Sequence, residues 1–143
     1  MRLVDVNVLV TAFRGSAPGH KVCRDLVEDL VNGPLPYGVS ELVLSGFLRV
    51  STHPRIFDPP APMSAALAFA DAYRAGDAAV VVAPGPRHWP IFSALCLSAR
   101  TKGNLVPDAY LAALAIESGC EWISADRDFA RFPGLRWTEI DLG

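Results

Sequence analysis

Hydrophobic positions along the chain follow two different periods, and segments of the two kinds alternate. Short apolar runs rich in β-branched and aromatic residues predict strands at residues 3–6, 37–39, 121–125 and 136–140. Residues 78–83 form a continuous apolar run, which predicts a strand covered on both faces.

Apolar residues at helical spacing predict amphipathic helices at residues 18–31, 40–51, 64–75, 88–102 and 107–118. Ser40 is a suitable N-cap, Pro107 suits a first helical turn, and Gly119 suits a helix end. Residues 54–63 contain four prolines and predict a surface loop, and residues 127–132 predict a short helical turn. The alternation of strands and helices predicts an α/β fold with a mainly parallel sheet.

Length and composition limit the class of protein. A chain of 143 residues is the size of one domain, so we expect a single domain over residues 1–143. No apolar run approaches the roughly 18 residues that a membrane-spanning helix needs, and no signal peptide is evident, so we expect a cytoplasmic protein. A net charge of -2 argues against a protein that binds nucleic acid through net charge alone.

Five acidic residues occupy unusual positions in this pattern. Asp5 follows the first predicted strand, and Asp126 and Asp128 follow the strand at residues 121–125. Asp108 and Glu41 lie in first helical turns, in phase with apolar residues three, four or seven positions later, so both are predicted to point inward. Ligands of open α/β sheets bind beyond the carboxyl ends of the strands, where these acids are expected to converge.

Convergent carboxylates need a cation. Each of these acids taken singly has a structural explanation, because carboxylates are common in first helical turns and in turns after strands. Two carboxylates about 4 Å apart repel by about 4 kcal/mol at an effective dielectric of 20, however, so a cluster predicts a bound metal ion. A ligand set made only of oxygens favours Mg²⁺, with Mn²⁺ as a possible substitute.

Four sequence blocks together resemble one known family. They are VDVNVL at residues 4–9, SEL at 40–42, PDAYLAALA at 107–115, and SADRDF at 124–129 followed by FPGL at 132–135. In this order and spacing they resemble PIN domains and, more narrowly, the VapC toxins of type II toxin–antitoxin systems. The resemblance extends over essentially the whole chain.

The resemblance implies a three-layer α/β/α fold and a Mg²⁺-dependent endoribonuclease. The family's four catalytic acids fall on Asp5, Glu41, Asp108 and Asp126, and Asp128 matches a position that is often acidic. Asp5 and Asp108 would be the main metal ligands, Asp126 would complete the site directly or through water, and Asp128 would be a further ligand. Glu41 would hold the attacking water or help to deprotonate it. The products would carry 5′-phosphate and 3′-hydroxyl ends.

Polar and basic residues near these blocks suggest supporting roles. Asn7 and Ser124 match polar positions that orient the carboxylates in the family. Arginine outnumbers lysine 11 to 2, and Arg14, Arg49 and Arg127 are the candidates for binding RNA phosphates. If five acids surround a metal, the remaining ten face 13 basic residues, and this surplus of three positive charges suits an RNA substrate.

The resemblance also implies partners, namely an inhibitory VapB antitoxin and a second copy of the chain in a homodimer. Three other functions share part of this pattern. A haloacid-dehalogenase-like phosphatase also opens on a strand ending in an aspartate, but Asn7 stands where its second aspartate would be. A response-regulator receiver needs an acidic pair and a late lysine, and neither is present. A noncatalytic module that binds arginines of a partner would lack metal-dependent ribonuclease activity.

Overall fold

The computed structural model describes residues 1–143 and contains one parallel sheet of five strands in the order β3-β2-β1-β4-β5. The strands are β1 Arg2–Val4, β2 Tyr37–Val39, β3 Ala79–Val81, β4 Glu121–Ser124 and β5 Trp137–Glu139. β1 lies at the centre, with Arg2 opposite Tyr37 on β2 and Val4 opposite Ile123 on β4. The carboxyl ends of β1 and β4 are therefore neighbours at one edge of the sheet.

Helices on the two faces of the sheet complete a three-layer α/β/α fold. They are α1 Val6–Phe13, α2 His20–Asn32, α3 Glu41–Ser51, α4 Met63–Arg74, α5 His88–Ser98 and α6 Leu105–Ser118, with a short 3₁₀ helix at Arg127–Arg131. α1 packs on α2 and α3, and α5 packs on α6. None of these helices has both the length and the apolar character that crossing a membrane would require.

The core fills the space between the sheet and the helices. Trp122 on β4 and Tyr37 on β2 are its two largest fully buried side chains. On α6 the buried side is made mostly of alanines: Ala109, Ala112, Ala113 and Ala115. Small side chains allow a helix backbone to approach its neighbours closely. This packing holds α6, and with it Asp108, beside the central strands.

The α/β fold with a parallel sheet is confirmed, although the helix predicted at residues 88–102 ends at Ser98 and two larger details differ from the predictions. Helix α1 was not predicted, because residues 8–12 are all buried and the helix therefore has no polar face to produce a helical period. Residues 78–83 do contain the predicted strand, but the prediction that it is covered on both faces is wrong. β3 is an edge strand, and Val80 and Val81 on it are exposed.

Candidate active site

Two neighbouring strand ends supply the first acids of the site. Asp5 follows β1 as the N-cap of α1, and one of its carboxylate oxygens accepts a hydrogen bond from the Val6 N–H at 2.7 Å. Asp126 follows β4 as the N-cap of the 3₁₀ helix and accepts from the Asp128 N–H at 2.9 Å. Aspartate is a preferred N-cap because its carboxylate satisfies a free N–H at a helix start. Each acid is thus oriented by the helix that it begins.

A hydrogen-bonded network links these two strand ends. The hydroxyl of Ser124, which is completely buried, donates to Asp5 Oδ2 at 2.7 Å and accepts from the Asp126 N–H at 3.0 Å. The Asn7 amide nitrogen donates to Asp5 Oδ2 and to the Ser124 hydroxyl, both at 3.2 Å, and its oxygen accepts from the Ala125 N–H at 3.3 Å. Ser124 and Asn7 therefore hold the Asp5 carboxylate against the loop that carries Asp126.

Helix α6 brings a third acid to this edge. Asp108 lies in the first turn of α6 and is half-buried. One carboxylate oxygen from each of Asp108, Asp126 and Asp128 lies within 4.8 Å of the others. Asp5 and Asp108 also line the same cavity. The structure therefore brings together four of the five acids singled out in the sequence.

Burial and mutual repulsion alter the ionisation of this cluster. The pKa of Asp108 is raised to about 6, first because burial disfavours its charged form and then because the charges of Asp126, Asp5 and Asp128 repel it. Burial also raises the pKa of Asp5, although the hydrogen bonds from Ser124 and Val6 oppose the rise and the charge of Asp126 adds to it. Without a cation, these carboxylates destabilise one another.

The acidic cluster meets the chemical requirements of a divalent metal site. Its donors are all carboxylate oxygens, and the nearest basic partner is Arg131, whose guanidinium lies 3.5 Å from Asp128 at the outer side. Oxygen ligands at this density favour hard cations such as Mg²⁺ and Mn²⁺. A bound cation would also relieve the repulsion that raises the pKa of Asp108.

Removing the Asp108 charge is expected to stabilise the metal-free protein. Because the pKa of Asp108 rises on folding from 3.8 to about 6, the free energy of unfolding falls as the pH rises through this interval and stays low above it. At about pH 7.5 in EDTA, Asp108→Asn should therefore raise the free energy of unfolding by about 1–2 kcal/mol, a value reduced because the side chain is half exposed. Urea denaturation measures the difference, which should shrink at about pH 4; equal or lower stability of the variant at pH 7.5 would contradict the effect.

Glu41 does not join the cluster, and the prediction that it points inward is wrong. Its side chain is 70% exposed, and its carboxylate lies 3.2 Å from the Arg74 guanidinium at the end of α4. The apolar residues with which it is in phase, Leu44 and Leu48, do lie on the inner side of α3. A hydrated ion pair spares Glu41 the cost of desolvation, which burial beside four other acids would impose.

The three candidate arginines occupy different places. Arg49 on α3 lines the cavity that Asp5 and Asp108 also line. Arg14 instead stacks on the ring of Phe57, with 3.7 Å between the guanidinium carbon and the ring centroid. Arg127 donates a hydrogen bond to Glu139 at 2.7 Å, which raises the pKa of its guanidinium. Of these three arginines, only Arg49 lines the same cavity as Asp5 and Asp108.

The cavity beside the acids contains residues that sequence reasoning missed. Its volume is about 580 Å³, and apart from Asp5, Asp108 and Arg49 its wall is mainly apolar, including Leu42, Phe92, Val106, Pro107, Tyr110 and Leu111. The spacing of Leu42, Gly46 and Arg49 on α3 would have placed these three on one helix face. Phe92, on α5, joins them only through tertiary packing, for which the sequence holds no local signal.

Comparisons with known proteins agree with this architecture. A profile of the PIN domain family matches residues 2–135. The chain is 43% identical to Ribonuclease VapC25 of Mycobacterium tuberculosis over 136 residues, which is 95% of this chain and 96% of that protein. It is 45% identical to Ribonuclease VapC43 of the same species over 137 residues, or 96% of this chain and 93% of that protein.

A solved structure shares the fold at low sequence identity. A chain in the crystal structure of VapBC2 from Rickettsia felis, bound to a DNA fragment from their promoter, superposes with a TM-score of 0.67. The alignment covers 96% of this chain and 97% of that chain at 15% sequence identity. The similarity therefore supports the fold.

Proposed function

Because this chain belongs to the PIN domain family, we propose that it is a Mg²⁺-dependent endoribonuclease and the toxin of a type II toxin–antitoxin system. The observation that carries the proposal is the convergence of Asp5, Asp108, Asp126 and Asp128 at one edge of the sheet, where burial and repulsion raise the pKa of Asp108. The names of the related ribonucleases support RNA as the substrate.

The four clustered acids have the proposed role of holding the metal. Asp5 and Asp108 are the main ligands, and Asp126 and Asp128 complete the site directly or through water. When bound, the metal supplies Lewis-acid stabilisation of the charge that develops on the phosphate and lowers the pKa of water. Asn7 and Ser124 fix the Asp5 carboxylate, since three hydrogen bonds join these side chains.

Glu41 has the proposed role of receiving a proton from the attacking water. To reach the site its side chain must leave Arg74, with which it forms an exposed ion pair. Exposed ion pairs of this kind stabilise a protein by only about 0–1 kcal/mol, so separating Glu41 from Arg74 costs little free energy. Arg49, which lines the cavity beside Asp5 and Asp108, is the proposed phosphate-binding residue.

The proposed partners follow from the same family membership. A VapB-type antitoxin is the proposed inhibitor, and its binding would cover the acids and the apolar cavity beside them. A homodimer in the cytoplasm is the proposed resting state of the chain. An arginine supplied by the antitoxin would neutralise the clustered carboxylates, as a metal ion would.

RNA cleavage with and without metal tests the proposal. The purified protein, incubated with total cellular RNA, should cleave it in Mg²⁺, lose activity in EDTA and regain it when Mg²⁺ or Mn²⁺ is added back. Sequencing of the new 5′ ends should show 5′-phosphates at a limited set of sites. Hydrolysis of an aryl phosphate without RNA cleavage would instead favour a phosphatase, and the absence of both activities would favour a noncatalytic binding module.

A further inference from the structure

Three aromatic side chains form a continuous row from solvent to the acidic cluster. Trp89, near the start of α5, is 67% exposed, and its ring centroid lies 5.3 Å from that of Phe92. Phe92 lies 5.5 Å from Tyr110 in an edge-to-face contact. Tyr110, on α6, lines the same cavity as Asp5 and Asp108, so the inner end of the row lies beside the proposed metal ligands.

The inner half of this row lines the cavity of about 580 Å³ beside the acids. Phe92 and Tyr110 are partly exposed there, and the Tyr110 hydroxyl makes no hydrogen bond within the chain. Arg49 is the only basic residue in the wall. The cavity thus combines aromatic side chains and one positive charge with the carboxylates of Asp5 and Asp108.

We infer that Trp89, Phe92 and Tyr110 stack on unpaired bases of single-stranded RNA next to the bond that is cleaved. The inference rests on the proposed function, which places a phosphodiester at Asp5 and Asp108. Sequence-tolerant binding of single strands depends on aromatic side chains that stack on bases and on positive charge that follows the backbone. The row and Arg49 provide both, directly beside the acids.

Arg49 and the aromatic wall of the cavity favour a nucleotide over an apolar protein segment. A nucleotide presents a flat base to the aromatic wall and a phosphate to Arg49, whereas an aliphatic segment would leave that guanidinium without a partner. Two thirds of Trp89 is in contact with solvent. Such a large exposed ring at the end of a row of aromatic residues is suited to a further base.

Binding of charge-matched oligonucleotides tests the inference without catalysis. The probes are an adenosine 12-mer ribonucleotide and a 12-mer of ribose phosphate without bases, both measured in EDTA by fluorescence anisotropy. Leucine preserves apolar contact but has no aromatic face, so Trp89→Leu and Phe92→Leu should each weaken adenosine 12-mer binding by about 5- to 30-fold. Binding of the baseless 12-mer should change by less than about twofold, since phosphate contacts remain.

Controls separate stacking from other effects. Leu97→Ala, an 82% exposed position on the same helix, should leave both affinities unchanged. The adenosine 12-mer should quench the fluorescence of Trp89, and this quenching should disappear in Trp89→Leu, where the buried Trp122 and the hydrogen-bonded Trp137 remain. Thermal unfolding shows whether the Phe92→Leu variant is still folded. If it is not, the Trp89→Leu variant alone tests the inference, because Trp89 is exposed.

Three results would overturn the inference. They are unchanged binding of the adenosine 12-mer by both variants, an equal loss of affinity for the two probes, and weakened self-association of the variants with intact RNA binding. The last would assign the row to contact with a second copy of the chain. If wild type cleaves RNA while any of these results holds, the proposed function stands and the stacking surface alone is wrong.

Discussion

We expect Asp5→Asn to cleave RNA at least about 10³-fold more slowly than wild type at saturating Mg²⁺, because a metal ion contributes several kcal/mol of charge stabilisation and each 1.36 kcal/mol is tenfold in rate. The change removes one charge from the proposed metal site and almost no volume. Asparagine is as good an N-cap as aspartate, so the hydrogen bond from the Val6 N–H to the side chain at position 5 can persist. The other oxygen of Asp5, which accepts from Ser124 and Asn7, becomes an NH₂ group, so the hydrogen bond donated by the Ser124 hydroxyl is lost.

The stability of Asp5→Asn distinguishes lost chemistry from lost structure. Burial raises the pKa of Asp5, which means that its charge is unfavourable in the metal-free fold. The removal of this charge offsets the loss of the hydrogen bond from Ser124, so unfolding of the variant in EDTA should occur at a denaturant concentration close to that of wild type. Asp71→Asn, an exposed aspartate on α4, is the matched control and should retain full activity. A folded Asp5→Asn protein that cleaves at the wild-type rate would remove Asp5 from the site.

Much of the fold could be predicted because local signals and tertiary structure agree. Ser40 caps α3, as predicted, through a hydrogen bond from the Val43 N–H to its hydroxyl. Gly119 ends α6 in the left-handed conformation, with φ of 70°, that glycine adopts without a Cβ clash. Helix α1 gave no such signal, because its residues are buried on nearly all sides and its valines favour strands in isolation.

The strand-end acids could be predicted to meet because parallel strands end at one edge of the sheet. Asp5 and Asp126 follow adjacent strands, and this adjacency suffices to place them together. Helical phase was a weaker guide. The helical phase placed Asp108 correctly but failed for Glu41. Phase gives only the direction in which a side chain leaves the helix axis, and the long side chain of Glu41 turns to its partner Arg74.

Long-range packing limited the prediction of the cavity. Phe92 and Tyr110 lie 18 positions apart and face each other only because α5 and α6 pack together. Trp89, on the same helix as Phe92, is exposed. Surroundings in the sequence do not reveal which side of a helix the rest of the fold covers.

Ser124→Ala is the second substitution with a large expected effect, because one hydroxyl holds two parts of the proposed metal site. The Ser124 hydroxyl donates to Asp5 and accepts from the Asp126 N–H and from Asn7. Its removal leaves the partly buried Asp126 N–H without this acceptor, which costs at most about 1–3 kcal/mol, and deprives the Asp5 carboxylate of a hydrogen bond that lowers its pKa. The charged form of Asp5, which the proposed metal site requires, becomes less favourable.

The expected result for Ser124→Ala is a rise of about 10- to 100-fold in the Mg²⁺ concentration required for half-maximal cleavage, the usual effect of removing a residue that orients a metal ligand. Activity should recover largely at saturating Mg²⁺, because all the proposed ligands remain. Titration of cleavage against Mg²⁺ separates this effect from a loss of the maximal rate. Ser98→Ala is the matched control, since that hydroxyl bonds only to the Leu95 carbonyl on α5. An unchanged Mg²⁺ requirement, or a loss of activity that Mg²⁺ cannot restore, would show that Ser124 does not act by positioning Asp5.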